Sequence, residues 1–78
     1  MVLQRDENPM PDDVAARLDA AGLRAAYDVR PPYQRNDYLG WIARAKRPET
    51  REKRLAQMLE ELAGGTRYMK MRWAPRPR

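Results

Sequence analysis

The chain of 78 residues has no cysteine, no histidine and no phenylalanine. Without cysteine there is neither a disulfide nor a thiolate metal site. Without histidine, the commonest general base and the commonest neutral metal ligand are both missing. No apolar run approaches the roughly 20 residues that a membrane-spanning helix needs, and 35% of the residues are charged. The opening MVLQRDENPM lacks the apolar stretch of a signal peptide. These absences lead to the expectation of a cytoplasmic protein with no cofactor and no metal. The length allows one domain, and a chain this short buries only about 60% of its unfolded surface.

Acid is also missing from one end. Residues 1–61 hold eleven basic and eleven acidic side chains, whereas residues 62–78 hold five basic ones and none acidic. The net charge of +5 is therefore a property of the C-terminal stretch: Arg67, Lys70, Arg72, Arg76 and Arg78.

What is present reads as short helices. Residues 1–11 are polar, carry Pro9 and Pro11, and are expected to form a flexible lead. Asp12 or Asp13 can cap a helix over about 14–21, with Val14, Leu18 and Ala21 on one face. Gly22 supplies a left-handed stop, and Leu23 falls where a Schellman cap returns an apolar residue to Leu18. One more short turn over 23–29 ends at Pro31 and Pro32. A third helix over about 32–46 places Tyr38, Trp41, Ile42 and Ala45 on one face. Gly40 falls on the opposite, polar face, where a missing side chain opens no cavity. A fourth helix opens at Pro48 and closes at Gly64-Gly65, with Leu55, Met58, Leu59 and Leu62 as its apolar stripe. Arg51 projects into that stripe and needs an internal carboxylate, for which Asp28 and Asp37 are candidates. From Thr66 the residues alternate, but a single strand has no partner. The expected fold is all-α: a compact bundle of three to four short helices with flexible termini. It comprises a lead over 1–11, a helical domain over 12–65 and a basic, flexible tail over 66–78.

Several of these residues form a pattern: Leu18, Tyr27-Asp28, Arg35, Tyr38-Leu39, Trp41-Ile42, Ala45 to Arg51, and Arg54. The central signature, YLxWIxxAKRPETRxxR, resembles the YdeI/OmpD-associated, or bacteriocin-protection, family over about residues 11–64. Tyr33 and Gly40 depart from the family pattern. The resemblance implies the helical domain, and a role in tolerance to antibacterial peptides or an outer-membrane association. It implies no activity, cofactor or catalytic residue.

The residues themselves support no reaction. Glu60 and Glu61 point about 100° apart on a helix and cannot flank one substrate atom. Thr50 has no base beside it. The expected function is a small non-enzymatic binding or regulatory module whose partner is a protein. Arg44, Lys46, Arg47 and Arg54 form a candidate surface for an anion or partner, because guanidinium forks match phosphate and carboxylate oxygens. The plainer reading of that corner is solvated charge. Arg67, Tyr68, Lys70, Arg72 and Trp73 are candidate contacts of the tail. A cationic, aromatic tail suits single-stranded nucleic acid, an anionic membrane or an acidic protein. A basic protein binding nucleic-acid phosphate through corner and tail is thus the alternative. A helix-turn-helix reader fits poorly, since the outward face of the fourth helix would present Glu49, Gln57, Glu60 and Glu61 to phosphate. Arg51, Trp41, Tyr38, Ile42, Leu55 and Leu59 are assigned to the structure. With no phenylalanine, Tyr27, Tyr38 and Trp41 must supply much of the buried bulk.

Overall fold

The computed structural model describes residues 7–74. Four helices are followed by a small hairpin: α1 (Asp12–Ala20), α2 (Arg24–Asp28), α3 (Pro32–Ala43), α4 (Pro48–Gly64), β1 (Arg67–Tyr68) and β2 (Met71–Arg72). The all-α bundle expected from the periodicities is present. Its core is Val14 and Leu18 of α1, Tyr27 of α2, Tyr38, Leu39 and Ile42 of α3, and Leu55, Met58 and Leu62 of α4.

Local chemistry accounts for the helix ends. Gly22 is left-handed at φ 69°. Its N–H donates to Asp19 O at 3.1 Å, and Leu23 N–H donates to Leu18 O at 2.9 Å. That pair of bonds is the Schellman motif, which satisfies carbonyls left open at the end of α1. Pro32 and Pro48 open α3 and α4, where a missing N–H costs nothing. Gly65, at φ 78°, closes α4.

Helix α3 stops at Ala43, three residues before the expected Lys46. Pro48 forces Arg47 into an extended conformation (φ −114°, ψ 145°). The chain therefore needs residues 44–46 to leave the helix, and it does so through a tightened turn in which Ala45 N–H donates to Ile42 O.

The lead is not free where it is described. Asn8 N–H donates to Asn36 Oδ1 at 2.7 Å, and Asn8 Nδ2 donates to the Asn36 carbonyl at 3.2 Å. Met10 packs against the core. This strap covers Gly40, which is buried: a Cβ there would lie 2.7 Å from Asn8 Nδ2 and 3.0 Å from Arg44 Nη1. The glycine on the polar face thus makes room for the strap. Residues 1–6 and 75–78, which complete the expected lead and tail, lie outside the described residues.

The largest departure from expectation is at residues 66–74. The strand does find a partner, four residues further on. β1 and β2 pair antiparallel, with Arg67 opposite Arg72 and Tyr68 opposite Met71. Trp73 N–H closes the base of the hairpin on Thr66 O at 2.9 Å. A two-stranded hairpin is marginal by itself in water. This one is held against α4 and α3 by contacts that periodicity does not reveal. Tyr68 stacks edge-on against Tyr33 and Tyr38, and its hydroxyl donates to Asp37 Oδ2 at 2.6 Å.

Two other assignments shift. Trp41 and Leu59, expected in the core, are half-buried at its edge. Leu39, absent from the expected face, is 6% exposed because α2 and the strap reach around that side of α3.

Truncating a fully buried leucine to alanine costs about 2–5 kcal/mol. Leu55→Ala should therefore lower the urea midpoint far more than Leu59→Ala. Equal midpoints would place Leu59 in the core after all. Removing residues 66–78 should lower the melting temperature as well; an unchanged melt would mean that the hairpin contributes nothing to the fold.

Candidate interaction surface

At the C-terminal end of α4 lies a buried polar cluster: Arg30 (3% exposed), Gln34 (0%) and Glu61 (6%). The Glu61 carboxylate accepts from the backbone N–H of Met69 at 2.9 Å and of Lys70 at 2.7 Å. It also accepts from Gln57 Nε2 at 3.2 Å and from the Tyr38 hydroxyl. Burial, then the hydrogen bond to the Glu61 carboxylate, push the Tyr38 hydroxyl above its ordinary pKa, so it remains a donor.

Met69 and Lys70 form the two-residue turn of the hairpin, at φ 50° and 66°. A turn with two positive φ values matches the twist of the strands but favours glycine and asparagine. A left-handed conformation costs other residues about 1–2 kcal/mol each. Two charge-assisted hydrogen bonds from this turn to Glu61 offset that cost.

Arg30 braces the other side. Its Nη1 donates to Arg67 O at 2.8 Å and to Gln34 Oε1 at 3.1 Å, and its Nη2 donates to Glu61 O at 3.0 Å. The guanidinium lies 4.3 Å from the centre of the Trp73 ring. A cation here also meets the negative end of α4. Glu61, read from sequence as outward-facing, is therefore interior. It lies about 60° from Met58 in projection, at the border of the stripe, and the hairpin covers that border.

The sequence-assigned residues divide as follows. Tyr38, Ile42 and Leu55 are core. Arg54 is tied to the fold: its Nη1 donates to Trp41 O at 2.6 Å and its guanidinium lies 5.3 Å from the Trp41 ring centre. Arg44, Lys46 and Arg47 are exposed at the α3–α4 corner. That connection spans residues 44–47, a length a helix-turn-helix can use, but Glu49, Glu52 and Glu60 still face outward from α4. Tyr68 is packed inside and Trp73 lies under Arg30, so neither presents a free stacking platform. Arg67, Lys70 and Arg72 are exposed on the hairpin. Corner and hairpin stand at opposite ends of α4, a 17-residue helix about 25 Å long at 1.5 Å per residue.

Arg51 ties two helices together, but with a different acid from those expected. Nη1 and Nη2 donate to the two carboxylate oxygens of Asp13 at 2.5 and 3.1 Å. The Arg51 side chain is 33% exposed, so the pair sits at the rim of the α1–α4 contact rather than inside. Asp28 accepts from Arg24 instead, and Asp37 from Tyr68. Beside the Arg51 pair, Arg17 forms a second fork with Glu52 at 2.8 and 2.9 Å.

One flank of the hairpin borders an apolar groove of about 760 Å³, lined by Ala26, Val29, Pro31, Tyr33, Leu62 and Trp73 among others. Among the described residues, no group of histidine, cysteine, aspartate or glutamate could hold a metal ion, and no helix is long and apolar enough to cross a membrane.

A family model described as bacteriocin-protection, YdeI or OmpD-associated matches residues 7–65. The chain belongs to this family. No curated protein and no solved structure matches it. The family match takes in the strap, all four helices and the cluster of Arg30, Gln34, Tyr38 and Glu61, and it ends before the hairpin.

The hydrogen bonds from Arg51 hold the Asp13 carboxyl below its ordinary pKa, and those from Arg17 do the same for Glu52. A carboxylate depressed in the folded state stabilises fully above its unfolded pKa, and that contribution disappears as pH falls through the folded value. The melting temperature should thus fall below about pH 4. In an Asp13→Asn, Glu52→Gln double variant the fall should be shallower. Parallel pH profiles for the variant and the parent would show that these two forks do not contribute.

Proposed function

We propose that the protein is a small, non-enzymatic, cytoplasmic binding or regulatory module of the bacteriocin-protection type, acting by docking another protein. The observation that carries this reading is the apolar groove beside the hairpin. Val29 is 78% exposed and Tyr33 48% exposed on its wall. Exposed apolar surface gathered in one concavity favours a partner that covers it. The buried groups that would otherwise be candidates for acid–base work support the same reading. Glu61, Tyr38 and Arg30 each hold the hairpin in place. The partner is then a protein presenting an apolar segment.

Binding of nucleic-acid phosphate is the second reading. It draws on Arg44, Lys46 and Arg47, which form no hydrogen bond or ion pair through their side chains among the described residues. Arg54 no longer belongs to that surface.

Affinity capture from lysate, with and without nuclease and across salt, separates the two. A protein partner in the groove should survive nuclease and high salt, and should be lost with Val29→Asp, which changes an exposed position. Phosphate-driven binding falls steeply with salt. Loss of the retained material on nuclease treatment, or its persistence with Val29→Asp, would overturn the groove reading.

A further inference from the structure

Apart from Arg35 and the corner residues Arg44, Lys46 and Arg47, the described basic side chains fall into two groups. Arg17, Arg24, Arg30, Arg51 and Arg54 each donate to a carboxylate or carbonyl. Lys53, Arg67, Lys70 and Arg72 have no such acceptor for their side chains among the described residues. Three of these four line one groove of about 690 Å³ between α4 and the hairpin, on the flank away from Val29 and Tyr33. Arg72 stands directly opposite Arg67 in the ladder.

These cations are not on a loose tail. The Lys70 N–H is bound to Glu61, and the Arg67 carbonyl is bound by buried Arg30. Like charges directly opposite each other across a ladder destabilise it. The brace from Arg30 and Glu61 keeps Arg67 and Arg72 together despite that repulsion. An anion in the groove, beside Arg67, Lys70 and Lys53, lowers the repulsion and meets cations whose backbone is already fixed, which reduces the entropy lost on binding.

The rest of the lining says what kind of anion. Glu60 is exposed along the groove, and Gln57, whose amide nitrogen is engaged by Glu61, keeps its amide oxygen as an acceptor. Acceptors between cations suit a chain that carries both carboxylates and backbone N–H donors. Glu60 repels a phosphodiester and a peptide carboxylate alike, but a phosphodiester strand offers few donors to set beside these acceptors, whereas a peptide brings its backbone N–H groups. No aromatic side chain lines the groove, so stacked bases find no platform. Ala56 and Gly64 add little side-chain bulk, which leaves space for a backbone. From Lys53 to Gly64 the helix runs about 16 Å, the length of about five residues of extended chain.

We infer that the groove between α4 and the hairpin is a docking site for an acidic polypeptide segment in extended form, its carboxylates meeting Lys53, Arg67 and Lys70. The site is separate from the Val29–Tyr33 groove, and Arg67 and Lys70 lie beyond the part of the chain matched by the family.

The test is fluorescence anisotropy with a short labelled peptide of alternating glutamate and serine, its glutamine counterpart, and an oligothymidylate. The acidic peptide should bind and the glutamine peptide should not. Lys53→Gln with Lys70→Gln should weaken binding about tenfold, while Lys46→Gln with Arg47→Gln at the corner should leave it unchanged. Lys53→Gln alone, on α4 and clear of the hairpin turn, should also weaken it, which guards against a hairpin that fails to form in the double variant. Absence of peptide binding, or equal loss in the corner variant, would overturn the inference. Tighter binding of oligothymidylate with the same sensitivity to Lys53 and Lys70 would replace it with a nucleic-acid site. None of these outcomes bears on Val29→Asp.

Discussion

The Glu61 carboxylate joins the helical bundle to the hairpin. It projects from the last full turn of α4, below the surface, and gathers a hydroxyl, an amide and two consecutive backbone N–H groups. Without such an acceptor, the turn at Met69 and Lys70 would combine two left-handed residues with two amides left without partners. The hairpin's conformation and its attachment therefore have one source. Arg30 completes the arrangement from the other side of the chain. By donating to both the Glu61 and Arg67 carbonyls, it joins the end of α4 to the first strand.

Much of the bundle was legible in the sequence because its signals are local. Gly22, Pro32, Pro48 and Gly65 each act on their own turn, and the i, i+3, i+7 spacing of Leu55, Met58 and Leu62 requires one buried face. What escaped depends on residues far apart in the chain. Asn8 reaches Asn36, Arg51 reaches Asp13 and Tyr68 reaches Asp37, each across roughly thirty positions or more. No periodicity announces such pairs. The hairpin turn was harder still, because Met-Lys lacks the glycine or asparagine that marks a two-residue turn. Its stabilising partner lies on another element. A hint did exist in Gln34 and Tyr38, four residues apart on α3 and so on one face; a Gln beside a core Tyr points to a polar partner opposite.

The candidate site was legible in its chemistry and less so in its layout. The basic residues were apparent from composition, but which of them were already engaged was not. Arg54 looked like surface and caps a carbonyl. Arg67 and Lys70 looked like tail and stand on a braced frame. Contacts on the fold therefore sort the cations of a chain with a net charge of +5 into those that stabilise the bundle and those left to meet a partner. That sorting also separates the corner from the hairpin, two basic regions that a linear reading joins.

The opposed arginines have a second consequence, for solubility. A two-stranded sheet has two open edges, and an exposed edge is a template on which another chain can add a strand. Here each strand is only two residues long, and the cross-strand pair Arg67 and Arg72 puts a positive charge on both. A second copy of the hairpin approaching edge to edge would bring four guanidinium groups together. The feature that leaves the groove hungry for an anion also keeps copies of this small protein from zipping into one another.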